Sequence, residues 1–163
     1  MTGVQTCALP ILVLVAVGFA AIGSKTLTIS GNTTATPNSA NFSVKFTGTP
    51  TTGGQGKTTA TISTTEPLKG TMTVTGLNAK GNKATATFTV SNTSADLSAG
   101  LTASATVSNT EYFKVTPTIA SATVAKGGTT TVTVTVELIK TPIDGDKTGT
   151  VTVTLTATPK QPA

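Results

Sequence analysis

Apolar and polar residues alternate with a period of two along almost the whole chain after Ser24. That period places successive side chains on opposite faces of an extended backbone and marks half-buried strands. Val132, Val134, Val136 and Leu138 form the cleanest row, and Val151, Val153, Leu155 and Ala157 the next. Ala84, Ala86, Phe88 and Val90 align in a third. Asn41–Thr47 turns Phe42, Val44 and Phe46 inward, and Thr71–Thr75 does the same with Met72 and Val74. Leu97–Val107 puts Ala99, Leu101, Ala103, Ala105 and Val107 on one side. Weaker strands are predicted at Thr58–Ile62 and Ile119–Val124, and a short one at Thr26–Ser30 with Leu27 and Ile29 on one face. Phe113 and Val115 share a face, which leaves Tyr112 outward.

Breakers rich in Gly, Asn, Asp and Pro separate these runs, at Thr49–Gly56, Gly76–Asn82, Asn92–Asp96, Asn109–Glu111, Lys126–Gly128 and Thr141–Lys147. About nine or ten short strands with frequent turns predict an all-β sandwich, jelly-roll-like or, alternatively, immunoglobulin-like. No amphipathic helix follows Ser24, which argues against a βαβ nucleotide-binding fold. Phe42, Phe46, Phe88 and Phe113 are the phenylalanines outside the leader and are the expected core anchors.

Composition sharpens this picture. Thr supplies 41 of 163 residues, and Thr favours strands over helices. Charged residues are 10%, and all the positive charge behind the net +5 comes from dispersed Lys, without Arg. Without Arg or a basic run, and with 4% aromatics, the chain lacks the usual means of reading phosphates or stacking bases, so no nucleic-acid partner is expected. His is absent and Cys7 is the single Cys, so zinc chemistry lacks its ligands. A Ser or Thr nucleophile would have only Lys as a base, and the six acids are scattered. No catalytic, cofactor-binding or metal-binding residue is assigned, and no enzyme activity or cofactor is expected. Thr51–Thr58, TTGGQGKT, has the Gly-Lys-Thr end of a phosphate loop, but Thr stands where its first Gly is required and a strand follows instead of a helix. It is predicted to be a Gly-rich turn. Asp144-Gly145-Asp146 is predicted to be a plain hairpin connection between the two best strands, not a calcium loop. Asn32-Thr33-Thr34 and Asn92-Thr93-Ser94 match the glycosylation sequon but are assigned to turns.

The beginning of the chain reads differently. Met1–Ile11, MTGVQTCALPI, resembles a translated sequencing adapter of the kind fused to assembled gene fragments. Leu12–Gly23 is an uninterrupted apolar run with the length of a signal-peptide h-region, shorter than the roughly 20 residues of a membrane span. A buried core helix or a retained membrane anchor is the alternative. The chain is thus expected to divide into an adapter remnant (1–11), a truncated h-region (12–23) and one sandwich domain (24–163), with secretion to the cell surface. Membrane contact would come only through an uncleaved leader.

Two strands carry no charge or Pro where sheets usually protect their edges: Thr129–Val136, TTTVTVTV, and Thr148–Thr158. They must be central, covered, or paired with another chain. Asn41–Phe46 (NFSVKF), Val74–Ala99 (VTGLNAKGNKATATFTVSNTSADLSA) and Gly127–Pro142 (GGTTTVTVTVELIKTP), behind a hydrophobic leader, resemble the TasA/camelysin-like exported proteins of Gram-positive bacteria. The resemblance implies a jelly-roll subunit that polymerises into biofilm-matrix fibres by donor-strand exchange, without the metalloprotease activity ascribed to some relatives, since His is missing. The candidate donor residues are Leu27 and Ile29, and the expected partner is further copies of the chain, with cell-wall or matrix polymer as a second surface. TFTVSNTS and GGTTTVTVTV also resemble bacterial immunoglobulin-like adhesin modules, which implies a non-polymerising adhesion or spacer unit.

Overall fold

The computed structural model describes residues 41–162. The expected leader and the strand predicted at Thr26–Ser30, with Leu27 and Ile29, lie outside them. The strands in order are β1 (Val44–Gly54), β2 (Lys57–Ile62), β3 (Lys69–Thr75), β4 (Lys83–Asn92), β5 (Ser98–Val107), β6 (Phe113–Ile119), β7 (Thr123–Val124), β8 (Thr129–Leu138) and β9 (Gly149–Lys160). They form two antiparallel sheets, one ordered β1-β4-β8-β6 and the other β2-β3-β9-β5-β7. The inner faces share one core, so the architecture is a β-sandwich.

Register explains why the alternation holds so well. Ala84, Ala86 and Phe88 of β4 stand opposite Val136, Val134 and Val132 of β8, all fully buried. The residues between them form matching outward rows, with Thr85, Thr87 and Thr89 opposite Thr135, Thr133 and Thr131. Thr87 and Thr133 share a side-chain hydrogen bond of 3.0 Å. Cross-strand neighbours of this kind are what stabilise a sheet, and a one-residue slip would turn the whole Val row to solvent.

The aromatic residues pack through glycine. Phe46 and Phe88 meet with ring centroids 5.3 Å apart. The Phe88 ring lies over Gly70 of the opposite sheet, where a Cβ would come within 2.6 Å of Cε1. Phe113 lies over Gly149 in the same manner, at 3.1 Å from an added Cβ. Sheets about 10 Å apart leave room for a phenyl ring only where the facing residue is small. Phe42, ahead of β1, is half-buried against this core and does not enter it.

Three expectations need correction, and one set of alternatives is decided: both uncharged strands are central, β8 lying between β4 and β6 and β9 between β3 and β5. Their lack of protective charge reflects neighbours on both sides within the domain. Nor do β8 and β9 form a hairpin, because they belong to different sheets. The Asp144-Gly145-Asp146 stretch therefore belongs to a crossover between layers. Thr49–Gly54 is strand, not breaker: β1 resumes pairing with β4 after a bulge between Thr47 and Thr51 that contains Gly48 (φ 69°) and Pro50. A bulge tolerates Pro because no ladder donor is required there. The turn of this Gly-rich stretch is confined to Gln55-Gly56, which carries the chain from one sheet to the other. Gly54 has φ 92°, and a Cβ there would lie 2.4 Å from the Lys83 carbonyl oxygen.

Tyr112 is the third. It is buried, not outward. It belongs to the turn preceding β6, so the strand alternation does not govern it. Its carbonyl accepts a hydrogen bond from Ile139 N at 2.8 Å. Lys140 and Lys147 stand over its ring, with Nζ 5.0 and 5.1 Å from the centroid. An aromatic face attracts such cations.

Candidate assembly edge

Most acidic side chains of the described residues are paired with lysines at the surface. Among the described residues, no three of His, Cys, Asp and Glu gather as metal ligands do. Glu66 pairs with Lys69 at 2.8 Å, Glu137 with Lys83 at 3.6 Å and Asp144 with Lys147 at 3.2 Å. Glu111 pairs with Lys140, and this hydrogen bond, followed by the Glu111 charge, raises the Lys140 pKa. These are surface pairs, worth little individually. Asp144 and Lys147 also border an open cavity of about 380 Å³ with Asn78, Leu77 and Ile143.

The sequon at Asn92 has a structural role. Asn92 is 0% exposed at the end of β4. Its Nδ2 donates to the carbonyl oxygens of Leu97 (2.9 Å), Val124 (3.0 Å) and Ala125 (3.2 Å). Its Oδ1 accepts from Ser94 N at 3.1 Å. One side chain thus ties the end of β4, in one sheet, to β7 and the approach to β5, in the other. A buried amide held in this way is not a free acceptor for glycan in the folded chain.

The sheet edges differ in their protection. β6 carries Lys114 and Pro117, both of which discourage pairing at an edge. β7 has only two residues. On the β1–β2 side, Phe46 N donates to Pro67 O at 2.9 Å, so the β2–β3 loop links the two sheets. β2 pairs only with β3, so its outer side is likewise unpaired among the described residues, with Lys57 at its start. The β5 edge is open over a longer uncharged stretch. β7 pairs β5 only at Ala99 and Gly100, and Leu101 N then donates to Ala122 O at 2.8 Å. From Thr102 to Val107, β5 pairs with β9 on one side, and among the described residues no strand pairs its other side.

That stretch borders a groove of about 420 Å³ between the edges of the two sheets. Ala105, Val107, Phe113, Val115 and Ile139 provide its apolar lining, and Ile139 is 37% exposed. Thr106, Thr110 and Lys114 contribute the polar margin. The sequence alternation already placed Ala103, Ala105 and Val107 inward. It could not show that this stretch of β5 is an edge, because strand order depends on contacts distant in the chain. Phe113 serves both the core and this groove, whereas Phe46 and Phe88, on β1 and β4 of the same sheet, lie in the core and do not line it. Comparisons with family models, curated proteins and solved structures give no match.

Proposed function

We propose that the chain is a secreted, non-catalytic structural subunit that assembles with further copies of itself into extracellular or biofilm-matrix fibres by β-strand donation. The observation that carries this reading is the open β5 edge, with an apolar groove beside it. Strand addition needs both features: free main-chain groups supply affinity, and pockets for alternate side chains supply register. The chain also contains a short alternating segment suited to be the donor, KTLTIS at Lys25–Ser30. The uncharged strands β8 and β9 no longer argue for assembly, since their neighbours lie within the domain. With no cofactor in the proposal, cell-wall or matrix polymer remains the secondary partner.

The test compares the chain beginning at Ser24 with one lacking Ser24–Ser30, at matched concentration, by electron microscopy and sedimentation. Fibres are expected from the first and folded, non-elongating particles from the second. A Ser24 chain that stays monomeric over days at high concentration would overturn the fibre reading.

A second reading is favoured by the connectivity. β4, β8 and β6 are neighbours as strands B, E and D are in an immunoglobulin sandwich, with β1 beside β4 as A lies beside B. β9 and β5 pair as F and C do. The position beyond β9, normally filled by the last strand, is occupied by β3 from earlier in the chain. This order supports an immunoglobulin-like arrangement over a jelly roll. It suits a surface adhesion or spacer module equally well, and a stable monomer in the assembly test is the result that would select it.

A further inference from the structure

We infer that the outer edge of β5, from Thr102 to Val107, accepts Lys25–Ser30 of a second copy, antiparallel and in one register, with Leu27 opposite Ala105 and Ile29 opposite Ala103. This inference rests on the strand-donation reading at the β5 edge and adds the residue-by-residue register in which the donor is held.

The main-chain directions define which groups are offered. Leu101 N points away from β9, towards Ala122 O. Ser108 N points the other way, to Thr150 O at 3.1 Å. Because donors and acceptors alternate sides along a strand, the N–H and C=O of Ala103, Ala105 and Val107 face the edge that no described strand pairs. The same residues turn their side chains inward. An incoming strand must therefore set its own inward residues opposite them to form hydrogen-bonded pairs. A shift by one residue would put Leu27 and Ile29 on the solvent face.

Side-chain size selects among the remaining registers. Inward positions on the central strands β8 and β9 are filled mainly by Val and Leu, whereas β5 presents Ala103 and Ala105, both half-buried at the edge. Leu27 and Ile29 have the same two-residue spacing as these alanines. Large residues opposite small ones fill the inter-sheet space without overpacking. On the outer face, Thr26 would stand beside Thr106 and Thr28 beside Ser104. This extends the hydroxyl rows already present, in which Ser104 and Thr106 stand opposite Thr154 and Thr152. Every described pair in the two sheets is antiparallel, and the inferred pair follows suit.

The test uses the full chain with Cys7→Ser, so that introduced thiols are the only ones. Chains carrying Leu27→Cys are mixed with chains carrying Ala105→Cys under mild oxidation and read by non-reducing electrophoresis and mass spectrometry. Opposed hydrogen-bonded residues lie about 5.5 Å apart at Cα, within disulfide reach. The expected result is a cross-link between copies, about tenfold more abundant than with Ala60→Cys on the β2 edge, a ratio equivalent to about 1.4 kcal/mol. Fibres that form without preference for Ala105 over Ala60 would overturn the acceptor site and leave strand donation standing. A Leu27→Cys/Ala105→Cys chain that cross-links only within itself would overturn the second copy as occupant and the fibre reading with it. As an independent check, Ala105→Leu fills the groove while leaving the donor unchanged. It is expected to block elongation with the β-sheet circular dichroism intact, and unimpaired elongation by this folded variant would overturn the inferred register.

Discussion

Replacing Phe88 by Ala should lower the unfolding free energy by about 3–5 kcal/mol, the range for a large aromatic removed from a packed core. The reason lies in what faces the ring. Phe88 is fully buried, touches Phe46 on its own sheet and covers Gly70 on the other. Gly70 has no side chain that can move into the space left behind, and its strand is held between β2 and β9. The cavity therefore persists, and the cost belongs near the top of the range. Gly70→Ala supplies the complementary test. In the native chain its Cβ would meet Phe88 Cε1 at 2.6 Å and is expected to destabilise. In the Phe88→Ala background the same methyl group partly fills the cavity and should recover stability. Urea melts of the four chains measure the coupling as a double-mutant cycle. A loss under about 1 kcal/mol for Phe88→Ala would contradict this account of the core.

The second large effect is expected at Asn92, where Asp removes the amide donors at nearly constant shape. Leu97, Val124 and Ala125 would each lose the Nδ2 partner, and a carboxylate would face three carbonyl oxygens. An uncompensated buried charge costs about 3–5 kcal/mol. Burial and the facing carbonyls raise the folded-state pKa of this carboxyl above the roughly 3.9 of an unfolded Asp. The penalty therefore grows as pH rises through that unfolded value and is smallest in acid, where a neutral carboxyl can donate one hydrogen bond. Asn92→Ala, which removes the donors without adding charge, is expected to cost about 2–3 kcal/mol with little pH dependence. Melts of both variants at pH 4 and pH 7 check this. An Asn92→Asp penalty that is the same at both pH values would show that the carboxyl escapes to solvent.

These two positions illustrate what was legible in advance. Phe88 sits in a strict two-residue alternation, so its inward direction follows from backbone geometry alone. Asn92 sits at a strand end in a string of turn-forming residues, and nothing local reveals that three carbonyl oxygens converge on it. Two of those oxygens, from Val124 and Ala125, come from more than thirty residues away. Tyr112 departs from the alternation for a related reason. It lies one residue before the strand, in a turn where a period of two has no force.

The sequence by itself determined the all-β sandwich class, most of the strand positions and the inward side of the strongly alternating strands, because these depend on local dihedral preference and a period of two. It also placed Ala103, Ala105 and Val107 on the inner face of β5 and supplied the alternating Lys25–Ser30 segment. Only the tertiary structure decided which strands are neighbours. It made the uncharged strands β8 and β9 central, separated them into different sheets, and left part of β5 as an edge with its groove. Strand order is set by how two sheets jointly bury their apolar faces. That is a property of contacts distant in the chain, so the same alternating pattern is compatible with a central strand or an open edge.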